Sequence, residues 1–175
     1  MKRAMILLLA LAMLIAASAA CAETSGLTSF STYDMEAQPV DESIFSGYDL
    51  TMVNIWATWC GYCVQEMPEL AKLKDMLPEN VNLITICDDA TTETELAYNI
   101  LQQTGATNFQ TLMGTQEIYD QFLYQVYAFP TTYFLDSEGN PVGEPIVGVP
   151  SLEDTANTYY GVIQEVLAML EEEAA

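Results

Sequence analysis

Residues 50–63 read LTMVNIWATWCGYC and join two unlike sequence patterns. The first half, residues 50–56, is rich in apolar and β-branched side chains and predicts a buried strand. A helical pattern then runs over about residues 62–77, so Cys60 stands where the helix begins. At a helix start, unsatisfied backbone N–H groups and the positive end of the helix dipole favour a thiolate and lower the pKa of the thiol. The spacing therefore suits Cys60 to nucleophilic attack and Cys63 to resolution of a mixed disulfide.

A Cys-x-x-Cys pair by itself has two further interpretations. It is half of a zinc site, which would need two more ligands; the chain has no histidine, so only Cys87 and carboxylates remain. It is also compatible with a purely structural disulfide. We favour a redox-active pair over both alternatives, and we expect no metal site and no cofactor.

Charge and composition exclude several classes of function. Of the 175 residues, 25 are acidic and 4 are basic, and after Cys21 only Lys72 and Lys74 oppose all the acidic residues. Such a field repels phosphate backbones, so we exclude nucleic-acid binding. Without histidine, and without arginine after Arg3, the chain lacks a Ser-His-Asp triad, a Cys-His pair and an arginine clamp on phosphate. Thiol chemistry remains, carried by four cysteines.

Residues 1–21 have the parts of an export signal. A basic start at residues 2–3 precedes the apolar run 4–17, and small residues follow up to Cys21. As a helix the run would span about 21 Å, short of the roughly 30 Å core of a bilayer, which favours a signal peptide over a permanent span. Cys21 resembles the acylated cysteine of bacterial lipoproteins, although Ser18 replaces the usual leucine. Conventional cleavage nearby is the alternative.

The rest of the chain predicts one α/β domain. We expect a polar tether over residues 22–29 and a domain over 30–175, since no repeat or low-complexity stretch follows. Strand and helix patterns alternate and end in a hairpin and a terminal helix, which indicates a mixed central sheet covered on both faces. The other predicted elements are strands at 81–87, 110–113, 131–135 and 145–149, helices at about 92–105 and 118–126, and a last helix that residues 151–154 can cap and whose apolar positions run from 159 to 170.

Two ordered motifs resemble the thioredoxin superfamily. Residues 54–63, NIWATWCGYC, are similar to its active-site segment, and Pro68 matches a proline that kinks the following helix. Residues 66–70, EMPEL, look like the branch of exported, membrane-anchored proteins of the TlpA and ResA type. Residues 129–136, FPTTYFLD, resemble the segment with a cis-proline beside the disulfide. The stretch between the motifs is longer than in plain thioredoxin by about a helix and a strand.

This resemblance implies a thioredoxin fold in which Cys60 is exposed at a strand-to-helix corner. A cis peptide at Phe129-Pro130 would place Thr131 beside the sulfurs, and proline is the residue that tolerates a cis bond at modest cost. The residues expected to support the active site are Trp59, Gly61, Tyr62, Pro130, Thr131 and Glu66.

Three positions depart from the family pattern or stay open. Thioredoxins proper carry a buried aspartate six residues before the first cysteine, where this chain has Asn54, which does not titrate. Glu66, one helical turn after Cys63, is either a substitute proton acceptor or, the interpretation we prefer, a solvated helix carboxylate. Cys87 ends an apolar strand and is most simply a small buried hydrophobe, with a second redox role as the alternative.

The expected function is that of an exported thiol–disulfide oxidoreductase, on the outer face of the cytoplasmic membrane if Cys21 is acylated and otherwise periplasmic or secreted. The dipeptide Gly61-Tyr62 lacks the histidine of strongly oxidising relatives, and the acidic field disfavours another anion, so we favour a reductant. The resemblance suggests misoxidised exported proteins or apocytochrome c as substrates, and a membrane electron donor of the CcdA or DsbD kind. A disulfide-forming oxidant and a non-catalytic binding lipoprotein are the alternatives, whereas a peroxiredoxin-type peroxidase would need an arginine that the sequence lacks.

Overall fold

The computed structural model describes residues 24–173, in which strands and helices alternate in the predicted order. The strands are β1 (Ser31–Tyr33), β2 (Pro39–Asp41), β3 (Leu50–Trp56), β4 (Val81–Cys87), β5 (Gln110–Met113), β6 (Thr131–Leu135) and β7 (Ile146–Val147). The helices are α1 (Gly61–Met76), α2 (Thr94–Thr104), α3 (Gln116–Gln121) and α4 (Thr155–Glu173), with 3-10 turns at Glu42–Ile44 and Leu123–Gln125. Within residues 24–173, no helix has both the length and the apolar character to cross a membrane.

Five strands form the predicted mixed sheet, in the order β5-β4-β3-β6-β7. β3 runs parallel to β4 and β4 parallel to β5, whereas β6 is antiparallel to β3 and β7 antiparallel to β6. Every residue of β3 and β4 is buried, because the centre of the sheet is covered on both faces. The expected additional helix and strand are α2 and β5, and β5 extends the sheet beyond β4.

Alternate side chains of β3 enter two core layers. Met52 and Trp56 belong to the layer beneath α1 and α4, whereas Val53 and Ile55 belong to the layer beneath α3. Asn54 lies between Met52 and Trp56 on the α1 side of the sheet, where it is fully buried. The strand period therefore places a single polar side chain of β3 inside the layer that also holds the cysteine pair.

The N-terminal part of the described chain differs from the predicted polar tether over 22–29. Leu27 is fully buried in the α3 layer, and its N–H donates to the Gly139 carbonyl at 2.9 Å. Ser25 exchanges two hydrogen bonds with the Gln125 side chain. A Cβ at Gly26 would lie 2.5 Å from the Gly139 oxygen, so only glycine permits this approach. Residues 24–27 are thus packed on the domain, because Leu27 reaches the core, whereas Thr28 and Ser29 are exposed.

Two other elements differ in detail. The helix predicted over 118–126 is divided, since Phe122 leaves the helical region (φ −133°, ψ −50°) and separates α3 from a 3-10 turn. The β1–β2 hairpin was not predicted; Asp34 closes it by accepting from the Glu36 and Gln38 N–H groups. Distant side chains contact both features: Gln110 donates to the Asp34 carboxylate, and the Phe122 ring packs on Tyr133 with ring centroids 4.8 Å apart.

Candidate active site

The CxxC cysteines form a disulfide at the corner between β3 and α1. The Sγ atoms of Cys60 and Cys63 are 2.01 Å apart, and their Cα atoms are 5.3 Å apart. The chain turns immediately after Trp56, because the Cys60 N–H donates to the Ala57 carbonyl at 3.0 Å. This turn delivers Cys60 to the N-cap position of α1, where the sequence placed it.

The cap geometry favours negative charge on the Cys60 sulfur. Its Sγ accepts from the Cys63 N–H at 3.2 Å, and the first turn of α1 contains no acidic residue. After reduction, this N–H and the helix dipole would stabilise a thiolate. The resemblance implied an exposed Cys60, but only 6% of the residue is exposed, because it packs in the core layer that also contains Cys63. Cys63 is completely buried, so an incoming sulfur atom reaches Cys60 first. Of the two cysteines, Cys60 is therefore the more accessible.

The peptide bond between Phe129 and Pro130 is cis, as the resemblance implied. Pairing of Thr131 with Ile55 in the β6–β3 ladder sets Pro130 beside the end of β3, from which the chain turns to Cys60. Thr131 is buried, and its hydroxyl donates to the Ala128 carbonyl at 2.8 Å. Thr131 therefore supports the loop before Pro130 through a main-chain contact.

Aromatic side chains surround the disulfide at the surface. Trp59 is 71% exposed and Tyr62 is 61% exposed, and Trp59 meets Phe129 edge to face with ring centroids 5.6 Å apart. Beside them lies a groove of about 320 Å³, lined by Tyr62, Phe129, Pro130, Gly148, Val149 and Leu152. Three larger clefts, two beside Asp136 and Leu170 and one beside Lys74 and Gln110, contain neither a residue of the CxxC segment nor the cis-proline, whereas the aromatic groove contains Tyr62, Phe129 and Pro130. The aromatic groove is the one that adjoins the candidate chemistry.

A buried polar network lies on the α1 side of the sheet. The Asn54 amide donates to Glu66 Oε1 at 2.8 Å and to Thr132 Oγ1 at 3.0 Å. The Tyr159 hydroxyl lies 3.0 Å from Thr132 Oγ1 and donates to Glu66 Oε2 at 3.4 Å. Asn54 Oδ1 is buried among the described residues without a hydrogen-bond partner. Strands β3 and β6 and helices α1 and α4 each supply one member of this network.

Glu66 is not the solvated helix carboxylate that we preferred from sequence. Only 2% of the residue is exposed, since α4 covers this part of α1 and brings Tyr159 onto the carboxylate. Burial raises the pKa of Glu66 to about 7, while the hydrogen bonds from Asn54 and Tyr159 oppose the rise. A carboxyl group with this pKa, one helical turn from Cys63, can hold or release a proton near neutral pH.

A second carboxylate holds the loop before the disulfide. Asp89 accepts from the Thr58 N–H at 2.9 Å and from the Thr58 hydroxyl at 2.6 Å, so both oxygens bind the residue that precedes Trp59. The Cys87 thiol lies 3.4 Å from Asp89 Oδ1 as a donor and is fully buried. Burial and the neighbouring Asp89 charge raise the pKa of Cys87 well above its usual range. Cys87 is thus a buried neutral thiol, as its simplest interpretation held.

The predicted site residues fall around the disulfide in three groups: Trp59, Gly61 and Tyr62 at the start of α1, Pro130 and Thr131 at the start of β6, and Glu66 inside α1. The network partners Thr132 and Tyr159, and the Thr58–Asp89 contact, were missed. Asn54, polar in an apolar strand, was the signal for the network. Cys21 lies outside the described residues. Within residues 24–173, no three His, Cys, Asp or Glu side chains are grouped to hold a metal ion.

Comparisons with known proteins identify a family and several relatives of this chain. The model of the family described as AhpC/TSA matches residues 25–140, more than half of the chain. Thioredoxin-like protein YneN of Bacillus subtilis (strain 168) is 31% identical over 88 residues, which are 50% of this chain and 51% of YneN. Thiol-disulfide oxidoreductase ResA of the same strain is 25% identical over 122 residues, 69% of this chain and 65% of ResA. The chain therefore spans about half of YneN and just under two thirds of ResA.

A solved structure shares the fold. The crystal structure of a Chlorobium tepidum protein assigned as thiol:disulfide interchange protein DsbE has a TM-score of 0.64. It is 23% identical in sequence, and the alignment covers 85% of this chain and 97% of that chain. At this level of identity the likeness establishes the thioredoxin fold.

Proposed function

The chain belongs to the AhpC/TSA family of thioredoxin-like proteins, and we propose that it is a thiol–disulfide oxidoreductase acting through Cys60 and Cys63. The observation that carries the proposal is the disulfide at the N-cap of α1, in which Cys60 is 6% exposed and Cys63 is completely buried. A disulfide with a purely structural role would not need exposed aromatic side chains such as Trp59 and Tyr62 beside it. A peroxidase assisted by arginine is disfavoured, since no arginine follows Arg3.

The proposed reaction has two exchange steps. In the reduced protein, the Cys60 thiolate attacks a substrate disulfide; a bond forms between Cys60 Sγ and one substrate sulfur, and the other substrate sulfur leaves as a thiolate and takes up a proton. Cys63 then loses its proton and attacks Cys60 Sγ, which releases the second substrate thiol and closes the Cys60–Cys63 disulfide. Two electrons pass from the protein to the substrate.

Glu66 is the group we propose to receive the Cys63 proton in the second step. Asn54 occupies the place of a titratable aspartate, and within the described network Glu66 is the carboxyl group one helical turn from Cys63. A pKa of about 7 lets Glu66 accept a proton and return it near neutral pH. Glu66 acts on the resolving thiol and not on the substrate.

The direction we propose is reduction of substrate disulfides. The many acidic residues of the chain disfavour a further negative charge on the Cys60 sulfur, and Gly61-Tyr62 supplies no positive charge to offset them. A less stable thiolate means a more stable disulfide and a more reducing couple. The name of the relative ResA, a thiol-disulfide oxidoreductase, is compatible with either direction.

We also propose that the protein works outside the cytoplasm. The support is the signal-like sequence of residues 1–21, with lipid attachment at Cys21 as the proposed anchor. Its substrates would then be disulfide-bearing exported proteins or apocytochrome c, and its electrons would come from a membrane donor of the CcdA or DsbD type. These partners rest on the family resemblance.

The test is the reduction potential of the Cys60–Cys63 couple, measured by equilibration with defined thiol buffers. A value at or below about −250 mV supports a reductant, and a value near about −120 mV would reverse the proposed direction. Cys60→Ser should abolish turnover of a model disulfide, while the matched variant Cys87→Ser should retain it. If the two cysteines show no reversible two-electron couple, the proposal of an enzyme is wrong and the alternative of a binding protein is favoured.

A further inference from the structure

The surface beside the disulfide combines bare aromatic rings with acidic flanks. Trp59 and Tyr62 are 71% and 61% exposed, and Leu152, which lines the neighbouring groove, is 66% exposed. Exposed apolar side chains grouped in this way mark a surface that binds another molecule. The groove is lined by Tyr62, which lies between the two cysteines in sequence, and by Pro130, so a chain bound there lies beside the CxxC segment.

The wall of this groove contains no charged residue, but acidic residues lie next to Leu152 in sequence and in contact with the residue before Trp59. Glu153 and Asp154 directly follow Leu152 and are exposed. Across the site, the Asp89 carboxylate binds Thr58, which immediately precedes Trp59. Asp88, next to Asp89, is half-buried. A segment bound against Trp59 and Leu152 therefore lies beside residues whose sequence neighbours, or the contacts of those neighbours, carry negative charge.

The two basic side chains of the domain are far from the groove. Lys72 and Lys74 are the only lysines or arginines in the sequence after Arg3. They lie nine and eleven residues beyond Cys63 in α1, about 14 and 17 Å along the helix axis. Lys72 pairs with Glu69, and the Lys74 ammonium donates to Asn82 at 3.0 Å. Neither offsets the acidic flanks, and the faces of Trp59 and Tyr62 can themselves receive a cation.

We propose that the groove binds a cationic segment of the substrate, in which lysine or arginine flanks the cysteine of the disulfide to be reduced. This inference rests on the proposed function and adds the substrate class. The aliphatic stem of a lysine or arginine packs on the aromatic rings, while its charged end meets the carboxylates at the groove flanks. Acidic segments are repelled by the same carboxylates, so the surface also discriminates against them.

The experiment uses the reduced full-length protein and three peptides with an internal disulfide. The peptides are identical except that the residues flanking each cysteine are lysine, glutamine or glutamate. The second-order rate constant for reduction is measured at about 0.1 M and 1 M salt, where charges are screened beyond about 10 Å and 3 Å. Each rate is divided by the rate of the same peptide with an uncharged dithiol, because a nearby lysine also activates a disulfide chemically.

We expect the corrected rates to fall in the order lysine, glutamine, glutamate, with about a fivefold ratio of the first to the last at 0.1 M salt and a ratio near one at 1 M. Glu153→Gln should reduce that ratio about twofold. The matched variant Glu171→Gln removes the same charge about 24 Å along α4 from its first residue and should leave the ratio unchanged.

Three outcomes would overturn the inference. Equal corrected rates for the three peptides would remove the cationic substrate class while leaving the oxidoreductase intact. If Glu153→Gln and Glu171→Gln weaken the lysine preference equally, the preference comes from the overall charge of the protein and not from the groove. If none of the peptides is reduced, the proposed function fails and this inference fails with it.

Discussion

Replacement of Glu66 by glutamine should change how the stability of the oxidised protein depends on pH. Glutamine has the same shape, and it can still accept from the Asn54 amide and approach the Tyr159 hydroxyl. It cannot ionise. The variant therefore removes the proton equilibrium of this buried carboxyl group and keeps the network nearly intact.

The sign follows from the two states of the chain. The pKa of Glu66 is about 7 in the folded protein, against an ordinary value of 4.5. Between these values the unfolded chain has released the proton and the folded chain retains it, so rising pH favours unfolding. The stabilising contribution is complete below pH 4.5 and is lost as pH rises through 7. At 1.36 kcal/mol for each tenfold change in proton affinity, the full loss is about 3 kcal/mol.

The assay is guanidinium chloride unfolding of the oxidised protein at intervals from pH 4 to 8.5, followed by circular dichroism. The free energy of unfolding of the wild type, minus that of Glu66→Gln, should fall by about 3 kcal/mol across the range. Glu69→Gln, on the solvent side of the same helix, is the control and should run parallel to the wild type. A difference between wild type and Glu66→Gln that stays constant within 1 kcal/mol from pH 4 to 8.5 would refute the reasoning.

Three other changes test separate parts of the structure. Asp89→Asn keeps an acceptor for the Thr58 N–H but removes a charge near Cys60, so the thiolate is favoured and the reduction potential should rise by roughly 20 mV in thiol-buffer titrations. Leu27→Ala empties a fully buried position and should lower the free energy of unfolding by about 2–5 kcal/mol in denaturant titrations. Tyr159→Phe removes a hydrogen bond that lowers the pKa of Glu66, so the loss of stability should move above pH 7 in the same pH series.

The first two of these changes have a control variant, and all three have a contrary outcome. Asp75→Asn removes an equal charge from the far end of α1 and should leave the reduction potential unchanged. If the potential rises equally in both variants, the effect of Asp89→Asn is not specific to the position of Asp89. Leu152→Ala is exposed and should cost little, and an equally small cost at Leu27 would restore the tether interpretation. If Tyr159→Phe leaves the pH midpoint of the stability loss unchanged or lowers it, the Tyr159 hydroxyl does not lower the pKa of Glu66.

Most of the sheet could be predicted because its strands are long apolar runs. β3, β4 and β6 are buried along their whole length, and a continuous apolar run bounded by polar residues identifies such strands locally. The division of the helix at Phe122 and the hairpin closed by Asp34 were not predicted; Phe122 packs on Tyr133, and Asp34 accepts from Gln110, 76 residues away.

In the candidate site, too, the features that could be predicted are those whose residues are close in sequence. The disulfide and the cis peptide lie in motifs whose partners are a few residues apart. Glu66 was misjudged because its sequence neighbours resemble an exposed helix face, whereas Tyr159, 93 residues away, seals it. Asp89 was missed because its partner Thr58 lies 31 residues earlier.

The sequence by itself determined the α/β class, the position of the cysteine pair at a strand–helix corner and the acidic surface. These properties depend on local pattern and on counted charge, which need no knowledge of what packs on what. Only the tertiary structure decided that Leu27 joins the core, that Glu66 is buried with a pKa of about 7, and that Asp89 holds the active-site loop. The physical reason is that burial, and with it the cost of an ionised carboxylate, is set by neighbours that folding brings from distant parts of the chain.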